Sequence, residues 1–175
     1  MTGMSDFYDA LAPDYHLIFP DWEESMRRQG RALDAIVRAR SDAPPHTVLD
    51  VACGIGTQSL PLVRLGYEVT SSDASPAAVQ RAAREAESRG LKLRTRVADM
   101  RAAFDAHGRT FDVVLACDNA VPHLLSDADI LRAFEQLHLC TRPGGLCLVS
   151  VRDYAALERG GTQIHPYGVR QAGTT

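Results

Sequence analysis

An apolar run, VLDVACGIGTQSL, delivers Asp50 and then the small residues Ala52, Gly54 and Gly56 into what reads as a turn before a helix. Small residues there let the backbone approach a ligand closely, and the helix N-terminus beyond presents free N–H groups. A nucleotide-like cofactor is the natural occupant. Asp73 follows 17 residues beyond Gly56, where a carboxylate can accept both hydroxyls of a ribose. Asp99 and Met100 add a second carboxylate and an apolar side chain, suited to the amino group and the face of an adenine. Each feature also has a plainer reading. The glycine turn has the plainer reading of a tight connection in an unliganded α/β domain, Asp73 that of the start of the turn before Ser75, and Asp99 that of the cap of a short helix. A dinucleotide site fits less well, because Ser59 stands where that fingerprint wants a third small residue, and Asp50 is foreign to it.

The elements that must position these residues follow from hydrophobic patterning. Short apolar runs at 47–52, 67–72, 91–97, 111–117 and 146–151 alternate with helical patterns, the order expected of βαβ units and a parallel sheet. The first and the last two runs are nearly continuous, as strands covered on both faces should be, whereas the less apolar third run belongs at an edge. Between the second and third, Ser75 caps a helix, Pro76 takes its first position and Gly90 stands past its end. A helix is expected over 127–138, with Ile130, Leu131, Phe134 and Leu137 on its buried stripe, before a turn at Arg142, Pro143, Gly144 and Gly145. Another begins near Trp22 and buries Met26, Leu33, Ile36 and Val37. One more begins near Thr57, with Pro61 close to its first turn.

The 175 residues suffice for one domain. Hydrophobic residues at 45% and charged residues at 23% exclude a disordered or low-complexity chain. With 19 Lys plus Arg against 22 Asp plus Glu, the net charge of −3 offers no broad cationic field for nucleic acid or anionic lipid. Cys53, Cys117, Cys140 and Cys147 lack the short spacings of a metal or redox site and read as reduced thiols. The opening residues carry no basic n-region, Arg27 being the first cation, so a signal peptide is not expected, and no apolar run is long enough to span a bilayer. A soluble, cytoplasmic protein is expected.

Asp50 to Gly56 resemble the acidic-x-Gly-x-Gly-x-Gly loop of class I S-adenosylmethionine-dependent methyltransferases, with Ala52 in place of the first glycine. Within that family the segments DVACGIGTQ, VADMR, CDNAVPHLL and SVRDY, and the opening FYDALAPDYHLIFPDW, are most similar to glycine/sarcosine N-methyltransferases. The resemblance covers residues 7 to 154. It implies a Rossmann-like sheet of order 3-2-1-4-5 with helices on both faces, a helical lid over 1–45, a cofactor-binding core over 46–154 and an irregular tail over 155–175, all in one domain.

The implied cofactor is S-adenosylmethionine, with S-adenosylhomocysteine as product. Gly54 and Gly56 would flank its methionine portion, Asp73 hold the ribose, and Asp99 and Met100 the adenine. Trp22, Asp50, Ala52, Thr57, Ala74, Cys117 and Asp118 complete the implied cofactor set. Asn119 and His123 would line the methyl-transfer site with Tyr8, while Arg152, Tyr15 and Asn119 would hold the substrate, a small amine or amino acid such as glycine or sarcosine. Tyr8, Tyr15 and Trp22 would belong to a segment closing over the cofactor. Alternatives stay open: Arg152 in a surface ion pair, His123 in the core or orienting Asn119, and the N-terminal aromatics as core packing. No general base is strictly required, since the amine's proton can leave to water or to a weak acceptor such as Tyr8. The usual C-terminal antiparallel hairpin is missing, which would leave the fifth strand as an open edge. A truncated chain or a second subunit covering that edge is the expectation, and a non-catalytic S-adenosylmethionine-binding domain is the alternative function.

Overall fold

The computed structural model describes residues 4–41 and 46–156. Nearly all of the expected tail lies outside them, as do parts of the 1–45 segment. Two helices lead, α1 (Met4–Leu11) and α2 (Trp22–Arg40), separated by a 3-10 turn at Tyr15–Ile18. Alternating strands and helices follow: β1 (Thr47–Asp50), α3 (Ser59–Arg64), β2 (Glu68–Asp73), α4 (Pro76–Ser88), β3 (Arg94–Val97), α5 (Ala103–His107), β4 (Phe111–Ala116), α6 (Asp127–Cys140) and β5 (Thr141–Val149).

All pairings are parallel and the order is β3-β2-β1-β4-β5, as the resemblance implies. β1 and β4 lie at the centre and bury nearly every residue, which is why both read as continuous apolar runs. β3 is at an edge and largely exposed, matching its weaker pattern. Val37 of α2 and Leu62 of α3 pack with Val48, Val69, Val113 and Leu115 on one face. Ala103 of α5 and Leu137 and Cys140 of α6 cover Leu49, Phe111 and Val114 on the other.

α4 starts as its sequence dictates: the Ser75 hydroxyl accepts the Ala78 N–H, and Pro76 occupies the first turn. α3 begins at Ser59, two residues after the expected start, because Gly56 at φ 95° is still part of the turn.

Three expectations are corrected. Leu131 and Phe134 of α6 are exposed; the buried face is Ala133, Leu137 and Cys140, with Ile130 partly covered. The small alanine, not the larger apolar residues beside it, is fully buried. Ile36 of α2 is likewise exposed, while Met26 and Val37 are buried. The last strand starts five residues early: Thr141 already pairs with Phe111, residues 142–145 bulge out, and pairing resumes at Leu146 opposite Val113. Asp112 holds the bulge, accepting from Arg142 Nε at 2.6 Å and from Thr47 N at 2.8 Å and Oγ1 at 2.8 Å. Gly145 is required there, because a Cβ would lie 2.8 Å from the Asp112 carbonyl oxygen. The strand also ends at Val149, so Val151 and Arg152 lie beyond it.

Candidate functional site: a cleft at the switch point of the sheet

In an open parallel sheet, ligands bind beyond the strand C-termini where the order reverses, here between β1 and β4. A cleft of about 670 Å³ opens there. The turn after β1 forms its floor. Gly54 at φ 50° and Gly56 at φ 95° let this turn fold back sharply, and the Gly56 N–H reaches the Cys53 carbonyl at 2.8 Å. The Cys53 N–H donates to the Ser72 carbonyl at 3.0 Å, tying the turn to β2.

Asp73, at the end of β2, completes that attachment. Its Oδ2 accepts the Gly54 N–H and its Oδ1 the Ser75 N–H, both at 2.9 Å. Burial raises its pKa, while these backbone donors oppose the rise. The carboxylate lines the cleft and has lone pairs left for further donors, as a ribose diol would supply. It is at once the turn residue and a cleft residue.

Asp50 takes a different place from the expected one. It is fully buried beneath the turn, where its Oδ2 accepts the Ser59 hydroxyl at 2.6 Å, and Ser59 meets the Ser71 hydroxyl at 2.7 Å. Burial raises its pKa to about 7, with the neighbouring Asp73 and Asp118 adding to the rise and the Ser59 bond opposing it. Asp50 therefore supports the loop from below and does not line the cleft. Ser59 stands at the third small-residue position because its hydroxyl completes this support.

The adenine-side pair is in place. Met100 and Asp99 both line the cleft. Asp99 also caps the 3-10 turn Met100–Ala102, accepting the Arg101 N–H at 2.8 Å, and it pairs with the Arg101 guanidinium at 2.6 Å. That contact lowers its pKa, so it stays ionised. Arg101 also reaches Asp129 at 3.0 Å, linking this rim to α6.

α1 straddles the opening. The Tyr8 hydroxyl meets His123 Nε2 at 2.8 Å on the β4 side, while the neighbouring Asp9 accepts the Ala77 N–H at 3.0 Å and the Ser75 hydroxyl on the β2 side. Tyr15 packs beside Tyr8, with ring centroids 6.2 Å apart. Both phenols have raised pKa values, chiefly from burial and further from the Asp73 and Asp118 carboxylates, and both remain neutral.

Of the sequence-derived candidates, Tyr8, Tyr15, Ala52, Gly54, Thr57, Asp73, Ala74, Asp99, Met100, Cys117, Asp118 and His123 line the cleft together. Trp22, Asp50, Gly56, Asn119 and Arg152 do not. Trp22 is buried and donates from Nε1 to Thr57 Oγ1 at 2.9 Å, buttressing the turn from behind. Asn119 turns toward the chain after β5, and Arg152 is exposed, its backbone N–H donating to Asn119 Oδ1 at 3.1 Å. Gln58 was not a candidate, yet it is buried in the cleft wall, donating to Gln29 Oε1 at 2.7 Å and hydrogen-bonding Asp118. Only its place next to Thr57 in the turn hinted at this.

A parallel 3-2-1-4-5 sheet with a glycine-turn cleft at its switch point defines an open, doubly wound α/β domain. The chain belongs to the methyltransferase domain family, whose model matches residues 48–145. It is 33% identical over 145 residues to a glycine/sarcosine N-methyltransferase of Parasynechococcus marenigrum, covering 82% of this chain and 50% of the relative. It is 38% identical over 99 residues to a ubiquinone biosynthesis O-methyltransferase of Methylocella silvestris, covering 57% and 37% respectively. Among solved structures, S-adenosylmethionine-bound CalS10, an amino pentose methyltransferase from Micromonospora echinaspora, matches with TM-score 0.65 and 26% identity, over 73% of this chain and 51% of that one. The chain thus spans about half the length of the curated glycine/sarcosine relative. Among the described residues, no helix is long and apolar enough to cross a membrane.

Proposed function

We propose that this chain binds S-adenosylmethionine in the cleft and serves methyl transfer to the amine of a small molecule, with glycine and sarcosine as the first acceptors to try. The observation that carries the reading is Asp73, which pins the Gly54 turn while presenting its carboxylate to the cleft. The N-methyltransferase relative and the motifs DNAVPHLL and SVRDY support the choice of acceptor.

In this reading Gly54 and the turn receive the methionine portion, Asp73 the ribose diol, and Met100 with Asp99 the adenine. Bound S-adenosylmethionine supplies a methyl group on a sulfonium already activated toward nucleophiles. The protein's task is in-line positioning, which in favourable cases lowers a barrier by roughly 7–11 kcal/mol. Tyr8, Tyr15 and His123 form the acceptor end. Because Tyr8 stays protonated, it acts as a hydrogen-bond partner that orients His123 and not as an anionic base. α1, held on both walls, excludes water above them. Arg152, expected from the sequence to hold the acceptor's carboxylate, lies outside the cleft lining, and its charge favours the ionised Asp118 carboxylate.

A second reading, transfer to a hydroxyl acceptor, is favoured by the O-methyltransferase relative. A third is cofactor binding without turnover. Incubation with methyl-labelled S-adenosylmethionine and glycine, sarcosine or a catechol separates them. Label in sarcosine or dimethylglycine supports the first reading, and label in the catechol ether supports the second. Binding without label transfer to any acceptor leaves the third.

A further inference from the structure

The loop leaving β4 carries two consecutive non-glycine residues in the left-handed region, Asp118 at φ 57° and Asn119 at φ 67°. No other non-glycine residue among those described has a positive φ. Such backbone is strained for L-residues, Asn and Asp least so, and it persists only where the surroundings over-determine it.

Here the surroundings are the residues just past β5. Ser150 meets the loop twice and the end of β4 once. Its hydroxyl accepts the Asp118 N–H at 2.9 Å, its carbonyl accepts the Asn119 N–H at 3.1 Å, and its own N–H donates to the Ala116 carbonyl at 3.2 Å. The Asn119 side chain faces the same way, accepting the Arg152 N–H at 3.1 Å and exchanging hydrogen bonds with the Tyr154 hydroxyl at 2.7 and 3.1 Å. Asp118, in contrast, stands in the cleft wall with Gln58 bonded to its carboxyl, and its charge is felt by Tyr8 and Tyr15.

We propose that Ser150 and Asn119 are positioning residues, which hold this strained loop so that the Asp118 carboxylate stays in the cleft, and that the Asn119 side chain itself does not touch the ligand. The proposal rests on the cofactor reading of the cleft. Its charge consequence is specific: a carboxylate in the wall favours a sulfonium over the neutral thioether of the otherwise similar S-adenosylhomocysteine.

The test is titration of the wild type and of Asp118→Asn, Asn119→Gly, Asn119→Ala, Ser150→Ala and Ser150→Thr with both ligands, alongside melting temperatures. Asp118→Asn is expected to weaken S-adenosylmethionine binding about 5- to 10-fold and S-adenosylhomocysteine binding less than about 2-fold. Asn119→Gly, which adopts positive φ freely, retains the wild-type preference between the ligands, whereas Asn119→Ala loses it. Ser150→Ala loses it too, and Ser150→Thr, which keeps the hydroxyl, restores it. Equal losses in Asn119→Gly and Asn119→Ala would mean that the left-handed backbone at 119 is not what holds Asp118 in place and would overturn the proposal, as would an unchanged preference in Asp118→Asn. If the folded wild type binds neither ligand, the proposed function fails by itself. The clamp is then judged by melting, where Asn119→Gly must exceed Asn119→Ala and Ser150→Thr must exceed Ser150→Ala. Equality in either pair would overturn it.

Discussion

The Tyr8 hydroxyl and His123 Nε2 lie 2.8 Å apart across the mouth of the cleft, joining the first helix of the chain to the 3-10 turn after β4. Beside Tyr8, Asp9 holds the opposite wall at the start of α4. Adjacent residues of one short helix thus tie the two rims together. Tyr8→Phe removes one tie and leaves the ring packing in place. A lost hydrogen bond of this kind is worth about 1 kcal/mol, so S-adenosylhomocysteine should dissociate roughly five times faster in stopped-flow measurements. An unchanged off-rate would show that α1 does not retain the ligand.

Asp73→Ala should weaken S-adenosylhomocysteine binding by about 1–3 kcal/mol, the range for charged hydrogen bonds. It also strips the Gly54 and Ser75 N–H groups of their acceptor, so some thermal stability is lost with it. Asp73→Asn removes the charge but keeps one of the two acceptor oxygens, so it should lose less thermal stability than Asp73→Ala. Calorimetric titration together with a melting curve of each variant checks this, and affinity unchanged in Asp73→Ala would remove Asp73 from the site.

Asp50 makes stability depend on pH with a defined sign. Its ordinary value is 3.8, and burial raises it to about 7 in the folded chain. Between those values the folded state holds a proton that the unfolded state has released, so stability present at low pH is lost as pH rises through this window. The full contribution approaches ~4 kcal/mol, by the usual conversion of a pKa difference. Asp50→Asn, neutral at every pH, should flatten the decline in urea midpoint from pH 5 to pH 8. Parallel profiles for wild type and variant would refute the assignment.

Gly30 of α2 packs directly on Pro61 of α3, where a Cβ would fall 2.5 Å from the proline Cβ. Gly30→Ala gains helix propensity but overpacks this contact, and overpacking typically costs about 1–3 kcal/mol. A net fall in urea midpoint is expected. A rise would mean that α2 can shift freely away from α3.

The alternating strands and the cleft floor were legible because they follow from local signals: apolar runs of the right length, the Ser75–Pro76 helix start, and glycines where positive φ is required; the strand order was implied by the family resemblance alone. The N-terminus of β5 was not legible, since Arg142 to Gly145 carry turn chemistry that the fold uses inside a strand as a bulge held by Asp112. The buried face of α6 departs from its apolar pattern because Ala133 gives no strong apolar signal beside Leu131 and Phe134. Asn119 and Arg152 fall next to the cleft in sequence but outside its lining. Side-chain direction there is set by the left-handed backbone at 118–119, which no periodicity reveals. Gln58 escaped notice because its partners, Gln29 and Asp118, come from distant elements.

The central claim, that the cleft between β1 and β4 holds S-adenosylmethionine, is tested most directly by calorimetric titration of the folded 175-residue chain with S-adenosylhomocysteine. Micromolar binding of one molecule per chain, weakened by Asp73→Ala, is expected. A cooperatively melting sample that releases no heat and shows no rise in melting temperature with the ligand would contradict it.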